Sequence, residues 1–284
     1  MTDNTEFKVQ LDDIVKKIKD LPTLPEVAME MLQNLEDEES SLDMVTEKIA
    51  MDHSITAKLL RLANSSYYGN NSKVVTLQQA TAMLGVKNVK NLIRLTTLAN
   101  KFPTANCPAF NFKAFWRHSI ATAVCAEQIS RTLHMKHDFA FTAGLLHDIG
   151  RLVLVTCYPA NYDKVLRYQA NTDCHLLDAE RSIMHIDHVD AGLTLAIHWN
   201  FSEAVCDAIR GHHHPEQENL NALASVVHIA NAIVHALDLS QDEKDRLPLL
   251  SQAAWDTLGL DEADYVSIFH ETEMRFDALN QIVL

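Results

Sequence analysis

The sequence predicts an all-α fold, and three observations predict it. Seven glycines and seven prolines in 284 residues supply too little turn punctuation for many short strands. Ala, Leu, Met, Glu and Gln, which lose least on entering a helix, recur throughout. Apolar residues return every three or four positions, the period of one helix face. With 47% hydrophobic residues the chain also has enough apolar surface for a substantial core.

Taken in order, the elements begin with amphipathic helices from Leu11 to about Lys101. Val27, Met31, Leu32 and Leu35 share one face, as do Ile55, Leu59 and Leu62. Pro22 and Pro25 mark the entry to the second helix. Thr76 with Gln79 forms a capping box, in which each side chain serves the other's backbone N–H, and Gly85 ends the helix that follows. Pro103, Cys107 and Pro108 interrupt the periodicity between Lys101 and Asn111, which places a boundary between an N-terminal helical subdomain (1–105) and a second one (106–284). The second unit runs helically from Phe112 to about Leu239. Acidic helices from Asp242 to Leu284 follow, broken near Pro248 and Gly259. No fixed-period repeat or low-complexity tract is present.

Charge narrows the function classes. Lys and Arg number 24 against 38 Asp and Glu, a formal net charge of -14 that repels phosphate backbones and anionic lipid, so neither nucleic acid nor membrane is an expected partner. Lys87, Lys90 and Arg94 fall at helical spacing and read as a solvated face. The five cysteines are scattered, odd in number and without a C-x-x-C pair, which suits reduced and mostly buried thiols. The chain opens on Thr2, Asp3, Asn4 and Glu6 and lacks an uninterrupted apolar run of about 18 residues, so a cytoplasmic protein without an anchor is expected.

The 15 histidines carry the functional signal, because several lie on inward helix faces. His118 shares its face with Phe115, Thr122, Cys125 and Ile129. His147 follows Ala140, Ala143 and Gly144, small residues that leave room for an imidazole, and Asp148 comes directly after. His188 precedes Ala191 and Gly192, and His212 follows Val205, Ala208 and Ile209, with His213 adjacent. Asn231 sits with Val227, Ala230 and Val234 where an apolar residue would be ordinary, and a buried amide needs partners. Neutral imidazole and carboxylate are the usual ligands of Zn, Mn and Fe, and a bridging Asp lets two ions share and acidify one water for attack at phosphorus. The competing reading is a set of core imidazoles, each hydrogen-bonded to a carbonyl. His134, His137, His175, His185, His228, His235 and His270 read as surface or structural, while His214 can stand in for a neighbour if its helix ends one residue later.

These residues resemble a known family. Leu21-Pro22-Thr23-Leu24-Pro25, Leu59-Leu60-Arg61-Leu62-Ala63-Asn64-Ser65, Ala82-Met83-Leu84-Gly85, Trp116-Arg117-His118-Ser119, Gly144-Leu145-Leu146-His147-Asp148-Ile149-Gly150 and His212-His213 together resemble the HDOD family, a branch of the HD superfamily found in bacterial signalling proteins. The resemblance implies an N-terminal helical bundle packed on an HD-like bundle. Beside HD and HD-GYP phosphohydrolases, His118 matches the first ligand, His147 and Asp148 the His-Asp doublet with the catalytic role, and His188, His212 and His213 the later ligands. Asn231 stands where that pattern has its closing Asp, Asp52-His53 where the family more often has Asp-Pro, and no Gly-Tyr-Pro follows His214.

An amide supplies no charge to offset a dication, so one metal position is weakened. The implied cofactor is a divalent transition metal, Fe, Mn or Zn, as one or two ions. Three functions follow as expectations. One is a signalling protein that docks a protein partner through a degenerate metal bundle. The others are a metal-dependent phosphohydrolase acting on a nucleotide or other phosphoester, and a sensor that binds such a ligand without transforming it.

Overall fold

Helix boundaries in this chain follow capping chemistry. The computed structural model describes residues 9, 11–19, 53–69, 73–102, 105–135, 139–217, 220–242 and 246–283, and no strand occurs among them. The expected helix carrying Val27, Met31, Leu32 and Leu35, with its entry at Pro22 and Pro25, lies outside the described residues, as do the Leu21–Pro25 motif and Asp52.

Helix α1 (Leu11–Lys19) opens on Asp12 and Asp13 and closes on lysines, matching its dipole, and buries Ile14 and Ile18 one turn apart. Helix α2 (His53–Ala63) buries Leu59 and Leu62. Helix α3 (Leu77–Lys101) starts at the Thr76–Gln79 capping box and is interrupted at Gly85. There the backbone takes φ 75°, ψ 155°, a conformation only glycine adopts cheaply, and a second helical run continues beyond it.

In the second half, the Asn111 side chain caps α4 (Phe112–Thr132) by accepting the Ala114 N–H. Helices α5 (Ala140–Leu146), α6 (Ile149–Cys157), α7 (Pro159–Thr172) and α8 (Leu176–Met184) follow. Left-handed Asp173 ends α7 and left-handed His185 ends α8. Asp187 caps α9 (His188–His198); α10 (Glu203–Gly211) leads to α11 (Ala222–Ala236), which Asn221 caps. Ser251 caps α12 (Gln252–Leu258), and Gly259 stops it at φ 59° before α13 (Glu262–Val283).

Helix α4 is the hub, flanked by α5, α11 and α13, while α6, α9, α10 and α11 complete a bundle around the α5–α6 joint. Both ends of the chain cross between the halves: α1 lies on α9 and α6, and α13 reaches back to α2 and α3. Two glycines let backbones touch. A Cβ on Gly144 would meet the Ala123 Cα at 2.8 Å, and one on Gly150 would meet the Gly192 nitrogen at 2.6 Å.

The expected solvated basic face on α3 is corrected by the structure at Arg94. Arg94 is only 3% exposed, with its guanidinium on Asn91 Oδ1 at 2.8 Å, and Lys87 lies 3.3 Å from the buried carboxylate of Glu127. Lys87 and Lys90 keep part of their surface in water, so only the Arg94 end of the row is packed. The five cysteines are free, and burial pushes the Cys125 thiol up to about 12. One stretch among the described residues, Ala140–Cys157, is long and apolar enough to cross a membrane; it is 83% buried and breaks into two helices at His147–Asp148.

Candidate metal centre

Helix ends build this site. His147 closes α5 and Asp148 begins α6, so the pair sits at a joint and not inside one helix as the sequence pattern suggests. His188 is the first residue of α9, His212 follows the last residue of α10, and His118 and Asn231 come from the middles of α4 and α11. Six helices, α4, α5, α6, α9, α10 and α11, thus contribute to one interior cluster. His118, His147, His188, His212, Asn231 and Asp148 are all buried, and His213 is partly buried.

The ring orientations have a common logic. Nδ1 of His147 lies 2.7 Å from the Gly144 carbonyl, Nδ1 of His212 lies 2.8 Å from the Ile209 carbonyl, and Nδ1 of His188 lies 2.7 Å from Glu180 Oε2. Each Nδ1–H donates outward, which leaves each Nε2 facing inward. Those three Nε2 atoms stand 3.7, 3.4 and 3.3 Å from one oxygen, Asp148 Oδ1. An outward Nδ1 bond to the protein and an inward Nε2 free to meet a cation are therefore compatible in one residue.

Two overlapping donor sets result. Asp148, His188, His212 and His213 have ligand atoms within 4.8 Å of one another, as do His118, His147 and Asp148. His118 and His147 meet at 3.2 Å through Nε2, and His188 and His213 meet at 2.9 Å. Asp148 belongs to both sets, the position a bridging carboxylate would occupy. Asn231 lines the same cavity as Asp148, His188 and His213, and its buried Oδ1 has no hydrogen-bond donor among the described residues. An unsatisfied buried oxygen beside a nitrogen-rich cluster fits a cation, although it brings a dipole and no charge.

Electrostatics suit a cation as well. Burial would raise Asp148, yet His147, His188 and Arg151 hold its carboxyl well below the usual range, with Arg151 Nη1 at 3.0 Å. Burial draws His147 down to about 4, and burial with His212 and His188 nearby lowers His213 strongly. His188 is the exception. Burial opposes its protonation, but Glu180 and Asp148 outweigh burial and push it up to about 9.

A cavity of about 600 Å³ opens from the cluster, with Phe110, Arg151, Arg181, His235 and Arg246 in its walls. That volume lies within the range of small-molecule sites.

Two residues near the site escape the sequence reading. Glu180 is fully buried behind His188, a position signalled only by its spacing with Ala179 and Met184 on the inward stripe of α8. His235, expected to be surface or structural, lies with its ring centroid 4.6 Å from that of His118 and lines the cavity; its spacing of four from Asn231 was the available signal. His228 is structural, bonded to the His212 carbonyl at 2.8 Å and accepting the Ser251 N–H at 2.9 Å. His214 is largely exposed beside Glu216, outside both donor sets. His134 and His185 hold left-handed turns at φ 52° and 62°, and His137 lies outside the described residues.

Comparison with known proteins agrees with this architecture. A family model described as "HDOD domain" matches residues 21–215. An uncharacterized protein of Treponema pallidum is 27% identical over 231 residues, which is 79% of this chain and 44% of that relative, so the chain spans under half of it. The crystal structure of an HDOD domain protein of unknown function from Geobacter sulfurreducens superposes with a TM-score of 0.83 at 22% identity, covering 96% of this chain and 98% of that one. A chain from Shewanella amazonensis provisionally named a phosphohydrolase superposes with a TM-score of 0.73 at 24% identity, over 95% and 98% of the two chains.

Proposed function

The chain belongs to the HDOD family, and from that premise we propose that it is a regulatory signalling module whose HD-like bundle holds one divalent transition metal, with a protein as its partner. Asp148, His188, His212 and His213 would hold the ion, the donor set that does not depend on Asn231. When bound, such an ion supplies Lewis acidity and cross-links three helix ends.

The chain's own residues prepare this. Asp148 presents Oδ1 to the centre while Arg151 occupies Oδ2, and the Nδ1 bonds of His147, His188 and His212 fix the rings before any ion arrives. The observation that carries the regulatory reading is Asn231. Its neutral amide leaves the His118–His147–Asp148 set one carboxylate short, which weakens the second ion that a shared-water mechanism needs.

The cavity favours a second reading, a metal-dependent phosphohydrolase. Its walls bring Arg151, Arg181 and Arg246 around a space that reaches Asp148, and guanidinium groups suit a phosphoester. One experiment separates the two. Protein purified without chelator or affinity tag is analysed for metal, then assayed against a phosphoester panel with Mn, Fe and Zn added. About one ion per chain and no turnover is expected; turnover lost in His147→Ala with the fold intact would replace the regulatory reading by the enzymatic one.

A further inference from the structure

Glu180 lies on α8, outside both donor sets and fully buried. Its two oxygens accept three hydrogen bonds. The Tyr162 hydroxyl donates to Oε1 at 2.8 Å, and Oε2 receives the His188 backbone N–H at 2.9 Å and its ring Nδ1 at 2.7 Å. Tyr162, on α7, is buried as well. A carboxylate taken this far from water is costly unless each oxygen is satisfied, and here the arrangement satisfies both.

The grip on His188 is unusual in form. One oxygen holds both the main chain and the ring of the same residue, so the ring cannot turn about its side-chain bonds without giving up one contact. Donation of the Nδ1–H to Glu180 leaves Nε2 as the atom that faces Asp148 at 3.3 Å and His213 at 2.9 Å. Helix capping alone does not require this, since the Asp187 side chain already caps α9 through the Asp190 N–H at 3.0 Å. His147 and His212 take their second bond from a carbonyl three residues back on their own helix. His188 opens its helix and has no such carbonyl, so a side chain from another helix fills that role.

We infer that Glu180 is a positioning residue that orients the His188 ring and presents its Nε2 to the centre, with Tyr162 holding Glu180 in place. The geometry stands by itself; its consequence for metal binding rests on the reading of the previous subsection.

The test uses the full chain and Co²⁺ as probe, followed by visible absorption and calorimetry. Glu180→Ala should weaken Co²⁺ binding by roughly 10- to 100-fold, the usual cost of losing a partner behind a ligand histidine. Glu180→Gln, which keeps an acceptor oxygen, should restore part of that loss. Val165→Ala, a buried truncation on α7 that removes none of the hydrogen bonds to Glu180, should leave Co²⁺ affinity within about twofold. Equal affinity in wild type and Glu180→Ala, or an equal loss in Val165→Ala, would overturn the inference.

A second readout needs no metal. The His188 Nδ1–H should give an exchange-protected, downfield imidazole proton signal that disappears in Glu180→Ala and shifts in Tyr162→Phe. If wild type fails to bind Co²⁺, the metal reading falls while this signal still decides the inference: its presence in wild type and loss in the variant support positioning, and its persistence in the variant refutes it.

Discussion

Glu127 Oε2 accepts a hydrogen bond from Arg275 Nη2 at 2.6 Å, which ties the middle of α4 to α13 across 148 residues of sequence. Both side chains are almost wholly buried, at 2% and 3% exposure. Lys87 and Arg131 approach the other oxygen at 3.3 and 3.4 Å. One carboxylate thus anchors the C-terminal helix to both halves of the molecule.

Acid should release that anchor. Burial raises the Glu127 carboxyl, but Arg275, Arg131 and Lys87 outweigh it and hold the pKa below its ordinary 4.5. A depressed folded-state pKa gives stability that is complete above the unfolded value and lost as pH falls through the folded one. Arg275→Met leaves the carboxylate buried and underpaired, a change that costs about 3–5 kcal/mol. Denaturant unfolding should show that loss at pH 7, with the acid transition moved to higher pH; an unchanged midpoint would refute the anchoring role.

Gly150→Ala should damage the candidate metal centre without replacing any of its donor residues. A Cβ there runs into the His188 carbonyl and reaches within 2.6 Å of the Gly192 nitrogen, and backbone cannot rotate away. The expected result is a loss of about 3 kcal/mol or more, with weakened metal binding as α9 moves off Asp148. Gly85→Ala is the contrast. Among the described residues nothing lies within 4 Å of that position, so only the strain of φ 75°, ψ 155° remains, about 1–3 kcal/mol with metal binding unaltered.

Asn231→Asp should have opposite effects on the two states. Without metal, a second carboxylate in the cavity of Asp148 adds repulsion and lowers the melting temperature. With Mn or Fe present it completes the His118–His147–Asp148 set, and elemental analysis should rise from about one ion per chain toward two. A variant with unchanged stoichiometry would mean that the missing charge is not what limits the second position.

Single-histidine variants should rank the two halves of the site. His213→Ala removes a donor from the set proposed to hold the ion, and His118→Ala removes one from the other set. Chelation of wild-type protein should lower its thermal stability, by about 2.7 kcal/mol relative to metal held at 100 times Kd. His213→Ala should abolish most of that increment and His118→Ala little of it; the reverse order would place the ion on the other side of Asp148.

Much of this molecule is legible in local pattern. The Thr76–Gln79 box and the stop at Gly259 involve residues within one turn of each other, so the sequence carries them directly. Helical periodicity likewise turns His118, His188 and Asn231 inward, because a face is defined by its own helix. It does not say that His147 and Asp148 occupy a joint between two helices, since the apolar pattern runs through Ala140–Cys157 without a break.

The sequence by itself determined an all-helical chain with a row of inward imidazoles and an amide, Asn231, on an inward face. Only the tertiary structure decided which inward faces meet. Backbone contact at Gly150 and Gly192 sets His188 beside Asp148, and packing from distant helices brings Glu180 behind that ring, Arg275 onto Glu127 and His235 against His118. The reason is physical: a lone helix exposes its charged residues to water, and Glu180 or Glu127 becomes a buried, paired group only when a partner remote in sequence folds over it.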